Sequence, residues 1–506
     1  MLPRRGHAGS RSIDLVSLVV LAAIVGGIAH AASLAARAKP FWHDEIYTIL
    51  VARLPTVAAI WAAMHDGIDL QPPLNTLATR GAWALFGAGP ITTRLPALAG
   101  FCLMTVMVFV MLKQRTNLPL AAAGALLPVQ TAAYRYAYEA RGYGLMLGLF
   151  TVALYAWTEA ARDRRRRIHL PMLGLALAAG VWTHYYAALG LALIALGECA
   201  RQWIRRRVDM PMWIAIGAAI VALTPLVPLV RNASAQRARF WAQPGIERIA
   251  DVYAGLMQPA LSELFSLWGA LLAAAALAAA WRRRRAQPSP GDTLPTHEVV
   301  VVAGAALVPL AAWLLGTFVI GAFTPRYGLS GVVGLALGLP LLVWRVAPGR
   351  NLAALILCVI VALPFAQTVV VVLRSPPALT PNPVAQRPLL ADVLSGAGPV
   401  VAAGSLTYLQ LWYYAPRLTR SRLVYLADPN EAVRFTGSDT IDRGYLVLAR
   451  WTPVRVEPYD VFMERQRQFT IYAAGGGWLL DKLAETGATV NLAGSEPGGQ
   501  LYRVTR

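Results

Sequence analysis

Charge is scarce in this chain. Only 14% of its 506 residues are Asp, Glu, Lys or Arg, against roughly a quarter in a soluble domain. With 57% hydrophobic residues and a mean hydropathy of +0.50, that deficit excludes an ordinary soluble enzyme. Repeated long apolar runs make it a polytopic membrane protein. Cysteine is also rare. Cys102, Cys199 and Cys358 fall inside apolar runs without metal-binding spacing, so they read as small core residues. Lysine occurs only at 39, 113 and 482, a bias expected of a GC-rich genome. No solenoid-type repeat is present. The spans lack the midplane charges and paired Pro/Gly breaks of a transporter.

What charge there is carries one sign. A formal net charge of +20 would suggest nucleic acid in a soluble protein. Here the arginines cluster between apolar runs, at 162–167, 205–207 and 282–285. Cytoplasmic loops of membrane proteins have this pattern, so nucleic acid is not an expected partner. Arg4, Arg5 and Arg11 precede an apolar run at 13–36 that is too long for a signal-peptide core. It predicts an uncleaved first span with the N-terminus in the cytoplasm.

Further spans are expected at 95–112, 118–134, 143–161, 168–183, 185–199, 212–230, 261–281, 299–320, 327–344 and 352–373. That makes about eleven transmembrane helices, an odd number that puts the C-terminus outside the cytoplasm. The expected division is a transmembrane domain over 1–373, with a large extracytoplasmic loop at 37–94, a linker at 374–387 and an extracytoplasmic α/β domain at 388–506. Pro376, Pro377, Pro381 and Pro383 stiffen the linker. In the last domain, 400–404, 422–427 and 444–450 read as strands of a mainly parallel sheet and 459–472 as a helix. Gly475-Gly476-Gly477 reads as a helix C-cap and turn.

The chemistry concentrates in the 37–94 loop. Asp44 and Glu45 stand where the chain leaves the first span, flanked by Phe41, Trp42 and Tyr47. Aromatic residues sit at headgroup level. A carboxylate there can take a proton from an acceptor hydroxyl or hold a metal beside a phosphate. The plain alternative is a solvated pair ending a span. His65, Asp66, Asp69 and Gln71 then precede Pro72-Pro73, which starts the next helix rigidly; the alternative is an ordinary turn. Arg80 and Arg94 either snorkel or bind phosphate oxygens. Glu139 and Arg141 are ionisable at membrane depth, which marks a paired or functional site. His184 is a ligand, an acid–base group or a hydrogen-bonded interface residue. Arg326 lies just before a span, where it can meet an anionic headgroup or a pyrophosphate.

The ordered set resembles the membrane-integral glycosyltransferases of GT-C fold that use polyprenyl-phosphate sugars. Protein O-mannosyltransferases and lipid A aminoarabinose transferases are of this kind. The matching pieces are Asp44-Glu45, Gln71-Pro72-Pro73-Leu74, Phe86-Gly87, Arg94-Leu95-Pro96, Glu139-Ala140-Arg141-Gly142-Tyr143, Thr183-His184-Tyr185-Tyr186 and Pro325-Arg326-Tyr327. They run in order from about residue 13 to 373. One departure stands out: aminoarabinose transferases carry Glu-Lys before the two prolines, and this chain carries Leu70-Gln71.

The resemblance implies a multi-pass enzyme of the cytoplasmic (inner) membrane with its active site outside. It would move a sugar from a polyprenyl-phosphate donor to a lipid, glycan or protein acceptor, with inversion. Asp44, beside Glu45, would be the catalytic carboxylate, and Arg94, Arg141 and Arg326 would meet the donor phosphate. It leaves the need for a divalent cation, magnesium or manganese, open. The rival from another class is a lipid or solute transporter (flippase), which needs a hydrophilic path through the bundle. A non-catalytic scaffold leaves the clustered outer acids and arginines unexplained.

Overall fold

Asp14 caps the first helix by accepting the Ser17 N–H at 2.8 Å, and the apolar run behind it continues to Ala38. The computed structural model describes residues 14–235, 240–242, 245, 248–257, 294–346, 350–375 and 382–506. The expected span at 261–281, the arginines at 4, 5, 11 and 282–285, and Pro376, Pro377 and Pro381 lie outside the described residues.

The protein is a multi-pass membrane protein. Among the described residues six helices are long and apolar enough to cross a bilayer: Leu15–Ala38, Pro90–Lys113, Tyr143–Ala161, Ala187–Arg205, Met210–Asn232 and Asn351–Arg374. The expected 299–320 span is a bent pair, Thr296–Ala306 and Val308–Ile320, meeting at 59°. Pro309 removes an amide hydrogen just after the break. The expected 118–134 span stops at Gln130 and gives way to a 3-10 turn over Ala132–Ala137.

The 37–94 segment is largely helical. Numbering the first helix α1, it folds as α2 (His43–Ala52), α3 (Val57–His65) and α4 (Leu74–Phe86), and leads into α5 (Pro90–Lys113). Glu45 closes α2 by accepting the Trp42 N–H at 3.3 Å, and Thr56 caps α3 by accepting the Ala59 N–H at 3.0 Å. Pro72 and Pro73 end the loop after α3 and start α4.

After α6 (Leu118–Leu126), helix α7 (Tyr143–Ala161) packs most extensively on α5 and on α8 (Arg166–Thr183). The contact is backbone on backbone. A Cβ on Gly100 would overlap the Leu145 Cα, and one on Gly144 or Gly148 would strike a carbonyl of α5.

The C-terminal region holds a six-stranded sheet in the order β3-β2-β1-β4-β6-β5. Its strands are β1 (Val400–Ala402), β2 (Leu423–Ala427), β3 (Val456–Pro458), β4 (Gln468–Ala473), β5 (Thr489–Glu496) and β6 (Gly499–Thr505). The first four in that order are parallel; β6 pairs antiparallel with β4 and β5. Three expectations are corrected. Residues 444–450 belong to a helix, Thr440–Trp451, because Ile441, Tyr445 and Leu448 recur at helical spacing on its packed face. The expected 459–472 helix is Tyr459–Arg465 followed by strand β4. The triple glycine therefore follows a strand, and Gly475, at φ +84°, makes a strand-to-helix turn.

The C-terminal region covers α2 and α3. Phe41, Ile46, Tyr47 and Leu50 share one apolar core with Tyr408, Leu409, Trp412 and Tyr445. Tyr47 stacks on Tyr445 at 6.2 Å between ring centroids. The backbone of Phe41 is bonded at both ends: its N–H donates to Tyr414 Oη at 2.7 Å, and its carbonyl accepts from Gln410 Nε2 at 2.9 Å.

Candidate active site around Asp44

Asp44 lies in the first turn of α2, where the helix dipole favours a carboxylate. Its Oδ1 faces His43 Nδ1 at 3.2 Å and its Oδ2 accepts from Arg326 Nη1 at 3.4 Å. The Asp44 carbonyl accepts from Arg141 Nη1 at 3.2 Å, and that nitrogen also reaches Thr48 Oγ1 at 3.4 Å and Asp69 Oδ2 at 3.3 Å. Asp69 in turn accepts the Gln71 N–H on Oδ1 at 3.2 Å, an Asx turn just before the two prolines. Separate stretches of chain thus meet at one point: the start of α2, the loop before α4, the turn before α7 and the segment at 325–328.

The turn before α7 is pinned from both sides. Glu45 Oε1 accepts the Ala140 N–H at 2.8 Å, and Asn75 Nδ2 donates to the Ala140 carbonyl at 3.4 Å. This fixes Arg141 beside Asp44. His184, next to the end of α8, is buried against Tyr143 at 4.7 Å and Tyr327 at 5.9 Å between centroids. Arg326 lies 5.9 Å from the Tyr143 ring centroid.

Electrostatics separates the two aspartates. Burial alone would raise Asp44, but Arg141, then His43 and Arg326, override it and hold the carboxyl well below the usual range. Burial dominates at Asp69, aided by the Asp44 charge, and raises its pKa despite Arg141. His184 is pushed down to about 3 by burial and by the Arg141 and Arg326 charges, so it is neutral at ordinary pH. Its Nδ1 accepts the Tyr186 N–H at 3.2 Å, which leaves the hydrogen on Nε2.

Around this point buried polar atoms lack protein partners: His43 Nε2, Arg141 Nε, Tyr143 Oη, His184 Nε2 and Arg326 Nε. Each costs about 1–3 kcal/mol if nothing satisfies it. They gather around one carboxylate and two guanidiniums, a setting that a polar ligand carrying a negative charge and hydroxyls would satisfy.

Other expected site residues are occupied elsewhere. Glu45 and Arg94 are spent on each other: Arg94 Nε and Nη2 grip the two Glu45 oxygens at 2.6 and 2.9 Å, and Nη1 donates to the Ala36 and Lys39 carbonyls. No donor on Arg94 is left for a phosphate. Arg80 binds the carbonyls of Ala52, Leu54 and Pro55 and clamps the α2–α3 turn. Glu139 is taken by Lys39 Nζ at 3.1 Å and Arg135 Nε at 3.3 Å. Asp66 bonds Arg450 and Trp451 of the C-terminal region, and His65 packs on Trp61 at 5.0 Å. Sequence reasoning passed over His43 and Thr48; adjacency to Asp44, and one helical turn after it, was the available signal.

Among the described residues no three His, Cys, Asp or Glu side chains converge as a metal-ligand group, and the charges nearest Asp44 are the Arg141 and Arg326 guanidiniums and His43.

The chain has the GT-C fold, shown by its likeness to solved structures. The chain superposes over 97% of its length on 98% of ArnT from Cupriavidus metallidurans in the apo state, with a TM-score of 0.59 at 13% identity. The same enzyme bound to undecaprenyl phosphate matches 96% of this chain over 97% of its own, with a TM-score of 0.56 at 14% identity. No family model matches the sequence, and no curated protein matches it significantly.

Proposed function

We propose that the protein is a membrane glycosyltransferase. It transfers one sugar from a polyprenyl-phosphate donor to a cell-envelope acceptor, which is lipopolysaccharide, another envelope glycan or a protein. The observation that carries this reading is the set of unpartnered buried polar atoms around Asp44, Arg141 and Arg326. An inverting displacement needs an anionic group on the nucleophile's side and cations for the departing phosphate. Asp44 supplies the first; Arg326 and Arg141 supply the second. The phosphate is a good leaving group, so no strong general acid is needed. Undecaprenyl phosphate in the similarly folded ArnT supports a lipid-phosphate donor. The active site lies outside the cytoplasmic membrane, with the N-terminus inside and the C-terminal region over the site.

The test compares a host expressing the native chain with one expressing Asp44→Asn at matched membrane levels. Mass spectrometry of envelope lipids, glycans and proteins should show one sugar mass that is present with the native chain and lost with the variant. No difference from a host lacking the protein would overturn the reading.

A further inference from the structure

His43 is the first residue of α2 and is 9% exposed. Its ring is held on three sides: Nδ1 meets Asp44 Oδ1 at 3.2 Å, the Tyr47 ring lies 5.1 Å away, and the Tyr445 ring of the C-terminal region lies 5.6 Å away. A carboxylate only accepts hydrogen bonds, so Nδ1 carries the hydrogen and Nε2 presents a lone pair. That Nε2 is buried and has no partner. Both Asp44 oxygens, by contrast, are engaged, one by His43 and one by Arg326.

We infer that His43 is the general base, its Nε2 taking the proton of an acceptor hydroxyl while Asp44 holds the ring. The inference rests on the glycosyltransferase reading and narrows it to alcohol acceptors. The acceptor O–H proton moves to Nε2 as the oxygen's electron pair bonds the anomeric carbon. The bond from that carbon to the phosphate oxygen breaks, and its electrons leave with the polyprenyl phosphate. The imidazolium formed is balanced by Asp44, as in an Asp–His pair that orients and stabilises without being protonated. The proton is then released to water. The depressed titration of Asp44 agrees with this division, because so weak a base accepts a proton poorly. An ionised phosphate acceptor has no proton to give and would need no such base.

Two measurements test it in a host expressing the full chain. Linkage analysis of the native product needs no variant: the sugar is expected on a carbon-bound hydroxyl oxygen, and a sugar on a phosphate oxygen would overturn the inference. For the second, His43→Ala at matched membrane levels should lower product formation at least about 100-fold, the usual scale of a lost general base. Added imidazole should restore it at least about tenfold, since it refills the vacated space and supplies the missing lone pair. His43→Gln keeps a hydrogen-bonding side chain beside Asp44 but has no base, so it should stay inactive with or without imidazole. Native-like activity in either variant, or a loss in His43→Ala that imidazole does not relieve, makes His43 a packing residue and overturns the inference. If the native chain itself yields no product, it is the glycosyltransferase reading that fails.

Discussion

Glu45 and Arg94 form a two-armed ion pair inside the protein, Nε to Oε1 at 2.6 Å and Nη2 to Oε2 at 2.9 Å, with both side chains shut off from solvent. The pair ties α2 to α5, and the same carboxylate pins the turn that carries Arg141. Glu45 therefore holds the start of α2 against both α5 and the turn beside Asp44.

Removing one partner should expose this role. Arg94→Ala leaves the Glu45 carboxylate buried without its main counter-charge, at a cost of about 3–5 kcal/mol. Thermal unfolding in detergent should show a lower midpoint, and less protein should accumulate in the membrane. Arg94→Lys should recover only part of the loss, because an ammonium cannot grip both oxygens.

Arg326 faces Asp44 from outside α2 and has an unpartnered buried Nε. Arg326→Ala should lower product formation about 100-fold, the scale of one lost electrostatic contact in a transition state. Stability should change little, since Arg141 still neutralises the site. Arg326→Lys should fall between. Envelope mass spectrometry at matched membrane levels reads the difference.

His184 makes stability depend on pH. Its folded pKa of about 3 lies below the unfolded value near 6.5, so between these values the unfolded chain binds more protons. Stability then falls as pH drops through that window and is unaffected by His184 above it. From pH 6.5 to 5 the loss is about 2 kcal/mol, at 1.36 kcal/mol per unit. Asp44 titrates lower still and adds nothing there. Unfolding midpoints at pH 7 and 5 should differ for the native protein, and His184→Gln should flatten the difference.

Close backbone contact between α5 and α7 leaves no room at Gly148, where a Cβ would strike the Gly100 carbonyl. Gly148→Val should force the helices apart and cost at least about 1–3 kcal/mol. A lower unfolding midpoint and reduced accumulation would record it; an unchanged protein would contradict the packing described.

Much of the frame is legible in the sequence because long apolar runs permit few alternatives. The 143–161 run is the helix Tyr143–Ala161. Short runs are harder. GYLVLAR at 444–450 has the composition of a strand, and only the wider spacing from Ile441 to Leu448 marks it as a helix. Within the site, sequence identifies ionisable residues near the interface but not which of them neutralise each other. Glu45 and Arg94 stand 49 positions apart, Lys39 and Glu139 100. Such pairings come from tertiary packing and leave no local pattern. His43 was overlooked for the opposite reason, since its partner is its own neighbour in the chain.

The two hydrogen bonds that tie the Phe41 backbone to Gln410 and Tyr414 join residues 369 and 373 positions apart. A ribosome therefore releases the start of α2 long before it makes the side chains that fix it. Until the sheet region has been synthesised and has folded onto α2, the Phe41 backbone at the entrance to that helix lacks both of these partners.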